Sequence, residues 1–350
     1  GTGADVELAI TAARTAFDKG EFPTWGFEKR AALVSKIADL MERDLKILAK
    51  LESDDTGKRL VEAEYDIADV IACFRHFAEI GKKQHEREVN VGMDHIDSRV
   101  VHEPVGVCTL IGPWNYPMFT PMGSIAYALA AGNAVVFKPS EFTPGVGVLL
   151  SDTFDEIAPF KGIFKCITGL GETGKFLCES AVNKLAFTGS TRTAKLVAET
   201  CSKNMTPVLL ECGGKDPVIV DKDANIKLAV EYTVWSAMAN AGQSCIGAER
   251  VYVHENVADK FKETIIAAVK ELQVGKSYGP ATMPKQLEII KRHVSDAIAA
   301  GANMLIGDTN SIGDRYVAPV VMMNVPENCT AMTEETFGPT IAINVVKDMD

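Results

Sequence analysis

From Val105 onward the sequence alternates short, largely apolar runs with helical segments, and nothing else in it constrains the fold as tightly. The runs are VGVCTLI (105–111), AVVFK (134–138), GIFKCIT (162–168), KLAF (184–187) and PVLL (207–210). Each is rich in β-branched or aromatic residues, as strands are. A strand that is apolar on both faces needs cover on both, which predicts a parallel sheet between helices, the doubly wound α/β design. The segments between fit this. PMGSIAYALAAG (121–132) has Pro121 early and Gly132 at its end, the usual asymmetry of a helix. Ligands of such sheets bind outside the carboxyl ends of the strands. The residues just after each run are therefore the first candidates for function.

The rest of the chain extends this pattern. Before position 86 it reads as helical, with Leu33, Ile37, Leu40, Met41 and Leu48 at helical spacing among charged residues. EREVNVGMDHIDSRVVHEP (86–104) alternates polar and apolar residues around a Gly-Met-Asp turn, which predicts a hairpin. After Gly214 the α/β alternation resumes, with PVIV (217–220) and ERVYVH (249–254) as strands and ADKFKETIIAAVKEL (258–272) and PKQLEIIKRHVSDAIAAG (284–301) as helices. A second lobe after about 213 fits the pattern, although composition marks no boundary.

Composition narrows the function classes. A net charge of -11 over 350 residues argues against nucleic acid and anionic membrane surfaces as partners. No apolar run is long enough to span a bilayer. The eight cysteines are scattered, with no CxxC pair and no zinc spacing, so free thiols in a reducing compartment, the cytoplasm, are expected. The helical pattern begins at the first residues and the closing AINVVKDMD is abrupt, so a piece of a longer protein is expected.

The strand ends carry polar groups. VCTLI leads into GPWNYP, where Asn115 offers an amide donor but is also an ordinary turn residue. AVVFK leads into PSE, so Lys138 and Glu141 can bind ribose hydroxyls or simply be solvated charges. GIFKCIT leads into GLGETG, a literal G-x-G-x-x-G that includes Gly171 and Gly174. The acidic residue that should end the next strand is absent, since KLAF ends in Thr188 and Gly189, but the glycines still permit close approach of a ligand, so Gly171, Gly174 and Thr188 are expected among the cofactor-binding residues. TGSTRTAK then places Gly189 and Ser190 at a helix start, which suits a phosphate and equally a plain N-cap. PVLL leads into ECGGKDP, where Glu211 fits a general base on water or a turn-capping carboxylate. One helix later, ANAGQSCIGAER (239–250) sets Cys245 among small and polar residues, with no histidine beside it to form a Cys-His pair.

These residues resemble the aldehyde dehydrogenase superfamily. PWNYP, AAGNAVVFKPSE, FTGS, ECGGKDP, NAGQSC and EETFGP match its motifs, in order, over almost the whole chain. The resemblance implies a doubly wound NAD-binding domain over 1–212, interrupted by an oligomerisation hairpin over 86–104, and an α/β catalytic domain over 213–350. It makes Cys245 the nucleophile that attacks an aldehyde, and Asn115 with the Cys245 N–H the oxyanion donors. Glu211 becomes the base that activates water. Lys138 and Glu141 hold the adenosine ribose, Gly189 and Ser190 the pyrophosphate and Glu335 the nicotinamide ribose, with Phe337 beside it. Trp114 lines the cofactor site. Glu141 favours NAD, with NADP as the alternative. A homodimer or homotetramer is expected.

Some positions depart from the family pattern. Ala194 stands where glycine is usual in the pyrophosphate helix, Cys212 where leucine is usual, and Ser124 where many members carry lysine. Two rival readings follow: a coenzyme A-acylating dehydrogenase, whose members commonly lack the base that Glu211 matches, and a retired enzyme kept as a structural protein. The presence of Cys245, Glu211 and Asn115 argues against the second.

Overall fold

The computed structural model describes residues 1–83, 86–157 and 162–348. The chain forms two compact units, one of 1–55 with 64–211 and one of 56–63 with 212–350. The short segment 56–63 thus groups with the second unit, although its sequence neighbours belong to the first.

The first unit opens with helices α1 (Gly3–Lys19), α2 (Phe27–Arg43), α3 (Leu45–Thr56) and α4 (Leu60–Lys82); the ends of α3 and α4 next to 56–63 belong to the second unit. A capping box starts α1: the Thr2 side chain accepts from the Asp5 N–H, and the Asp5 side chain accepts from the Thr2 N–H. Then come β1 (Arg87–Glu88) and β2 (Arg99–Val100), an antiparallel pair exposed along both strands, at the place the hairpin was expected.

The sheet of this unit holds β3 (Val107–Ile111), β4 (Ala134–Lys138), β5 (Phe164–Cys166), β6 (Lys184–Thr188) and β7 (Val208–Glu211). Their spatial order is β5-β4-β3-β6-β7, all parallel, so the order reverses between β3 and β6. The intervening helices are α5 (Phe119–Ala130), α6 (Gly145–Asp155), α7 (Gly171–Glu179) and α8 (Thr191–Ser202). Every residue of β4 is buried, because alternate side chains meet cover on opposite faces. Ala134 and Val136 pack with Val6 and Ala13 of α1 and Leu177 of α7, while the Phe137 ring lies against Gly147 of α6.

The second unit holds β8 (Asp216–Val220), α9 (Ile226–Met238), β9 (Ala248–His254), α10 (Glu255–Lys270), α11 (Pro284–Ala299), β10 (Asn303–Ile306), β11 (Val320–Met323), α12 (Thr330–Thr333) and β12 (Thr340–Val346). Its sheet order is β10-β11-β12-β9-β8, parallel except for the edge strand β10. Val251 and Val253 face Phe261 and Ile265 of α10, and Tyr252 between them turns to the opposite face with Ile290 and Val294 of α11. That two-residue alternation sandwiches the sheet between helices, the class predicted from sequence.

Candidate active site

In the first unit the candidate residues gather at the carboxyl ends of the parallel strands. After β3 the Gly112 N–H donates to the Lys138 carbonyl (2.9 Å), tying the β3 turn to the end of β4. Asn115 is buried in that turn, ahead of α5, and Trp114 is half-buried. Lys138 ends β4. Its side chain is 3% exposed, and its ammonium donates to the Pro139 carbonyl (2.9 Å) and lies 3.8 Å from the Glu141 carboxylate. Burial holds the Lys138 pKa below the ordinary lysine value, and the Glu141 charge opposes that shift.

The two Gly-rich turns differ. A Cβ at Gly171 would meet nothing within 4 Å, and one at Gly174 would make only ordinary contacts with Ile111 and Lys138. Packing therefore does not require either glycine, and the space at Gly171 leaves room for a ligand to approach its backbone. Gly189 is required: a Cβ there would come within 2.7 Å of the Phe187 ring. Its N–H donates to the Glu211 carbonyl (3.0 Å), joining the ends of β6 and β7. Ser190 caps α8, its hydroxyl accepting from the Thr193 N–H (3.3 Å). This leaves the first-turn amides of α8 and the positive end of its dipole beside the strand ends, a fitting cradle for a pyrophosphate. Thr188 is half-buried and Glu211 exposed at their strand ends.

In the second unit Cys245 lies half-buried in the turn that leads into β9. The backbone before it is unusual. Asn240 and Ala241 have φ of 50° and 57°, and Gly242 follows at 73°. Left-handed non-glycine residues cost about 1–3 kcal/mol each and persist only where their surroundings hold them. Here Gln243, itself buried, accepts from the Thr282 N–H (2.8 Å) and donates to the carbonyls of Asn240 (2.8 Å) and Pro280 (3.3 Å). The Asn240 N–H donates to the Glu62 carboxylate (2.8 Å). After the turn, the Ala248 N–H donates to the Ser236 hydroxyl (3.0 Å).

The glycine pair before β8 makes room on the other side. A Cβ at Gly214 would lie 2.7 Å from the Cys245 carbonyl oxygen, and one at Gly213 would collide with the Glu335 carboxylate. Glu335 accepts from the Gly214 N–H (3.2 Å). Burial, reinforced by the Glu249 and Asp216 charges, pushes its carboxyl up to about 7, against the pull of that N–H and of Lys215.

The loop carrying Glu335 and Phe337 is fixed by residues that sequence reasoning did not single out. Glu249 accepts from the N–H groups of Thr336 (3.0 Å) and Phe337 (2.8 Å). Lys215 neutralises it at 2.6 Å and donates to the Thr336 hydroxyl (3.1 Å). Gln286 donates to the Thr336 carbonyl (2.6 Å), and a ring nitrogen of the buried His293 lies 3.1 Å from the Thr336 hydroxyl. These contacts hold Phe337 at a left-handed φ of 54°. The available signal was a charge inside a buried strand: Glu249 begins the ERVYVH run, and buried carboxylates need partners.

The departures from the family pattern have local accounts. Ala194 is buried inside α8. The Ser124 hydroxyl accepts from the Tyr127 hydroxyl (3.0 Å). Cys212 is half-buried.

The aldehyde dehydrogenase family profile matches residues 1–350. The chain is 34% identical to a betaine aldehyde dehydrogenase of Bacillus subtilis, over 97% of this chain and 72% of that protein. Among solved structures it is similar to an NAD-dependent aldehyde dehydrogenase from Sinorhizobium meliloti, with a TM-score of 0.96 and 32% identity, covering 99% of this chain and 71% of the other. An NADP-dependent enzyme of Escherichia coli matches with a TM-score of 0.95 and 32% identity, over 99% and 74% of the two chains. Motif order, fold and overall similarity agree: the chain belongs to the aldehyde dehydrogenase family and is an aldehyde-oxidising enzyme.

Proposed function

We propose that the enzyme oxidises an aldehyde to its carboxylic acid through covalent intermediates on Cys245, with NAD as the preferred cofactor. The observation that carries this reading is the contrast among thiols. Burial pushes Cys108 up to about 11 and both Cys166 and Cys178 up to about 12, so these thiols stay protonated and unreactive. Cys245, half-buried like Cys166, is instead set in a turn whose strained backbone is pinned by buried hydrogen bonds. Such expense in backbone strain is usual at functional sites.

The cofactor residues fit a dinucleotide. Lys138 and Glu141 hold the adenosine ribose, and the first turn of α8, with Gly189 and Ser190, takes the pyrophosphate. Glu335 accepts from the nicotinamide ribose beside Phe337, and Trp114 lines the cofactor site. The Glu141 carboxylate repels a 2′-phosphate, which sets the preference for NAD over NADP. The chemistry supplied by the bound dinucleotide is acceptance of one hydride from carbon.

The chain's own residues do the rest. The Cys245 thiolate forms a C–S bond with the aldehyde carbon, and the oxygen charge is held by the Asn115 amide and the Cys245 N–H. Loss of the hydride leaves a thioester on Cys245. Glu211 takes a proton from water, the resulting hydroxide adds to the thioester carbon, the C–S bond breaks to release the acid and the Cys245 thiolate, and Glu211 passes its proton to solvent. The exposed β1–β2 hairpin supports assembly into a homodimer or homotetramer, since an uncovered two-stranded ribbon seeks a partner. Among the described residues no helix is long and apolar enough to cross a membrane. The eight free cysteines support a reducing cytoplasmic setting.

Glu211→Gln tests the scheme, because it keeps size and removes the base. An enzyme-equivalent burst of NADH should precede a slow steady state, with an acyl mass on the Cys245 peptide. Full activity of that variant would remove Glu211 as base and favour transfer of the acyl group to coenzyme A, read by adding coenzyme A to the assay.

A further inference from the structure

We propose that Glu62 is a positioning residue for the nucleophile: its carboxylate holds the left-handed turn that sets Cys245. The inference rests on the reading of Cys245 as nucleophile. Segment 56–63 groups with the second unit although the chain on either side of it does not. Its contacts are specific. The Thr56 carbonyl accepts from the Thr282 hydroxyl (2.6 Å), and the left-handed Gly57 lies under Pro280, where a Cβ would come within 2.7 Å of the ring. Pro280 and Thr282 are the residues whose backbone carbonyl and N–H engage the Gln243 side chain. The segment therefore braces the loop that braces Gln243.

Glu62 reaches the turn itself. One carboxylate oxygen is occupied by Arg59, through its guanidinium (2.9 Å) and its backbone N–H (3.3 Å). The other accepts from the Asn240 N–H (2.8 Å). That N–H lies beyond the last helical hydrogen bond of α9, in which the Ala239 N–H donates to the Trp235 carbonyl. A peptide turned into the left-handed region cannot continue the helical ladder, so its donor needs another acceptor. Glu62 supplies one, already oriented by Arg59. Without it, Asn240 and Ala241 gain by relaxing to ordinary φ, and the shift passes through Gly242 to Gln243–Cys245. The plain alternative is that Glu62 only caps α4, since it also accepts from the N–H of Arg59 at the helix start.

The readout is the rate at which iodoacetamide alkylates Cys245, followed across pH by mass mapping of its peptide, together with kcat and thermal unfolding. Glu62→Leu should slow alkylation and kcat by about ten- to a hundredfold, the scale of a small misplacement. Glu62→Gln keeps an oxygen acceptor and should retain most of both. Glycine adopts the left-handed region without strain, so Glu62→Leu combined with Asn240→Gly should recover reactivity relative to Glu62→Leu, with Asn240→Gly alone as reference. Should Glu62→Leu fail to fold, Glu62→Asp keeps an acidic cap on α4 while drawing the carboxylate off Asn240, and the same loss is expected. A lower melting temperature with unchanged Cys245 alkylation would overturn the inference and leave Glu62 as a helix cap. Cys245→Ala separates the two readings: if it still oxidises aldehydes the nucleophile assignment fails, whereas the alkylation rates judge Glu62 independently of turnover.

Discussion

The two units share a design and use it from opposite ends. In the first, the candidate residues follow the carboxyl ends of β3, β4, β6 and β7. In the second, Gly214, Cys245 and Glu335 precede the amino ends of β8, β9 and β12, parallel neighbours that bring these positions to one edge of the sheet. At a carboxyl end the next helix starts, so amide donors and a positive dipole come with the fold. Ser190 and the first turn of α8 need little further support. Before β9 and β12 the chain arrives from the C-terminal end of a helical segment, where carbonyls dominate, and before β8 it arrives from β7. Anionic groups there must be served by side chains and by strained turns. The left-handed residues Asn240, Ala241 and Phe337 stand in the second unit next to its candidate groups, with Asn324 after β11 a fourth, whereas the left-handed Met205 of the first unit is exposed and precedes the amino end of β7, away from the candidate residues.

The largest effects set the second unit's thiol against the first unit's amide. Cys245→Ser should abolish the NADH burst and the steady state together, a loss on the order of 10⁴-fold or more, because an alcohol without an adjacent base is a poor nucleophile. Asn115→Ala removes one oxyanion donor and should cost about 100- to 1000-fold in kcat, with NAD binding by fluorescence titration retained. Equal losses would mean the two residues act as one unit, and the contrast in their roles would collapse.

Cofactor binding sharpens the comparison. Glu249 is buried, carries two backbone N–H groups and is paired with Lys215. Glu249→Ala strands the Lys215 charge, which costs about 3–5 kcal/mol for a buried pair, and releases the loop of Glu335. The variant should melt at lower temperature and show a raised KM for NAD, with a smaller change in kcat. Glu141 is exposed by 36% and sits loosely beside Lys138. Glu141→Ala should leave the melting temperature nearly unaltered and shift preference toward NADP by several-fold, read as the ratio of kcat/KM values. A wild-type enzyme that already prefers NADP would remove the basis for this assignment.

The difference between the units also explains what was legible in the sequence. Apolar runs and the residues after them are local patterns, so the sheet, the hairpin and the strand-end positions from Asn115 to Glu211 could be read in order. The amino-end site offers no such rule. Cys245 stood out by its turn of small and polar residues, but its role, and Glu335 altogether, became visible only through motif resemblance, and Glu249 and Glu62 were not singled out, because their partners lie far away in sequence: Glu62 meets Asn240 across 178 positions. The grouping of 56–63 with the second unit was hidden for the same reason. It depends on Thr282 and Pro280, not on composition. The G-x-G-x-x-G at 169–174 shows the reverse case, a clear local pattern whose last two glycines no packing contact requires.

The smallest expected effect belongs to Glu335 and is read by pH. Burial in the second unit lifts its carboxyl from an ordinary 4.5 to about 7. Between those values the folded protein holds more protons than the unfolded chain, so stability from this group is present below about 4.5 and is lost as pH rises through about 7. Partial exposure screens the charge and keeps the change modest. Glu335→Gln removes the titration while keeping an acceptor for the Gly214 N–H. In cofactor-free protein the variant and wild type should melt together near pH 5. By pH 8 the variant should lie higher by roughly 1–3 °C, the scale set by the entropy of unfolding a chain of this size. The difference should develop between these limits, as the carboxylate ionises inside a pocket that supplies it a single backbone N–H. A difference that stays flat from pH 5 to 8 would mean that the amino-end site stabilises its anion as well as the helix starts of the first unit do, and the contrast between the two sheet ends would lose its electrostatic basis.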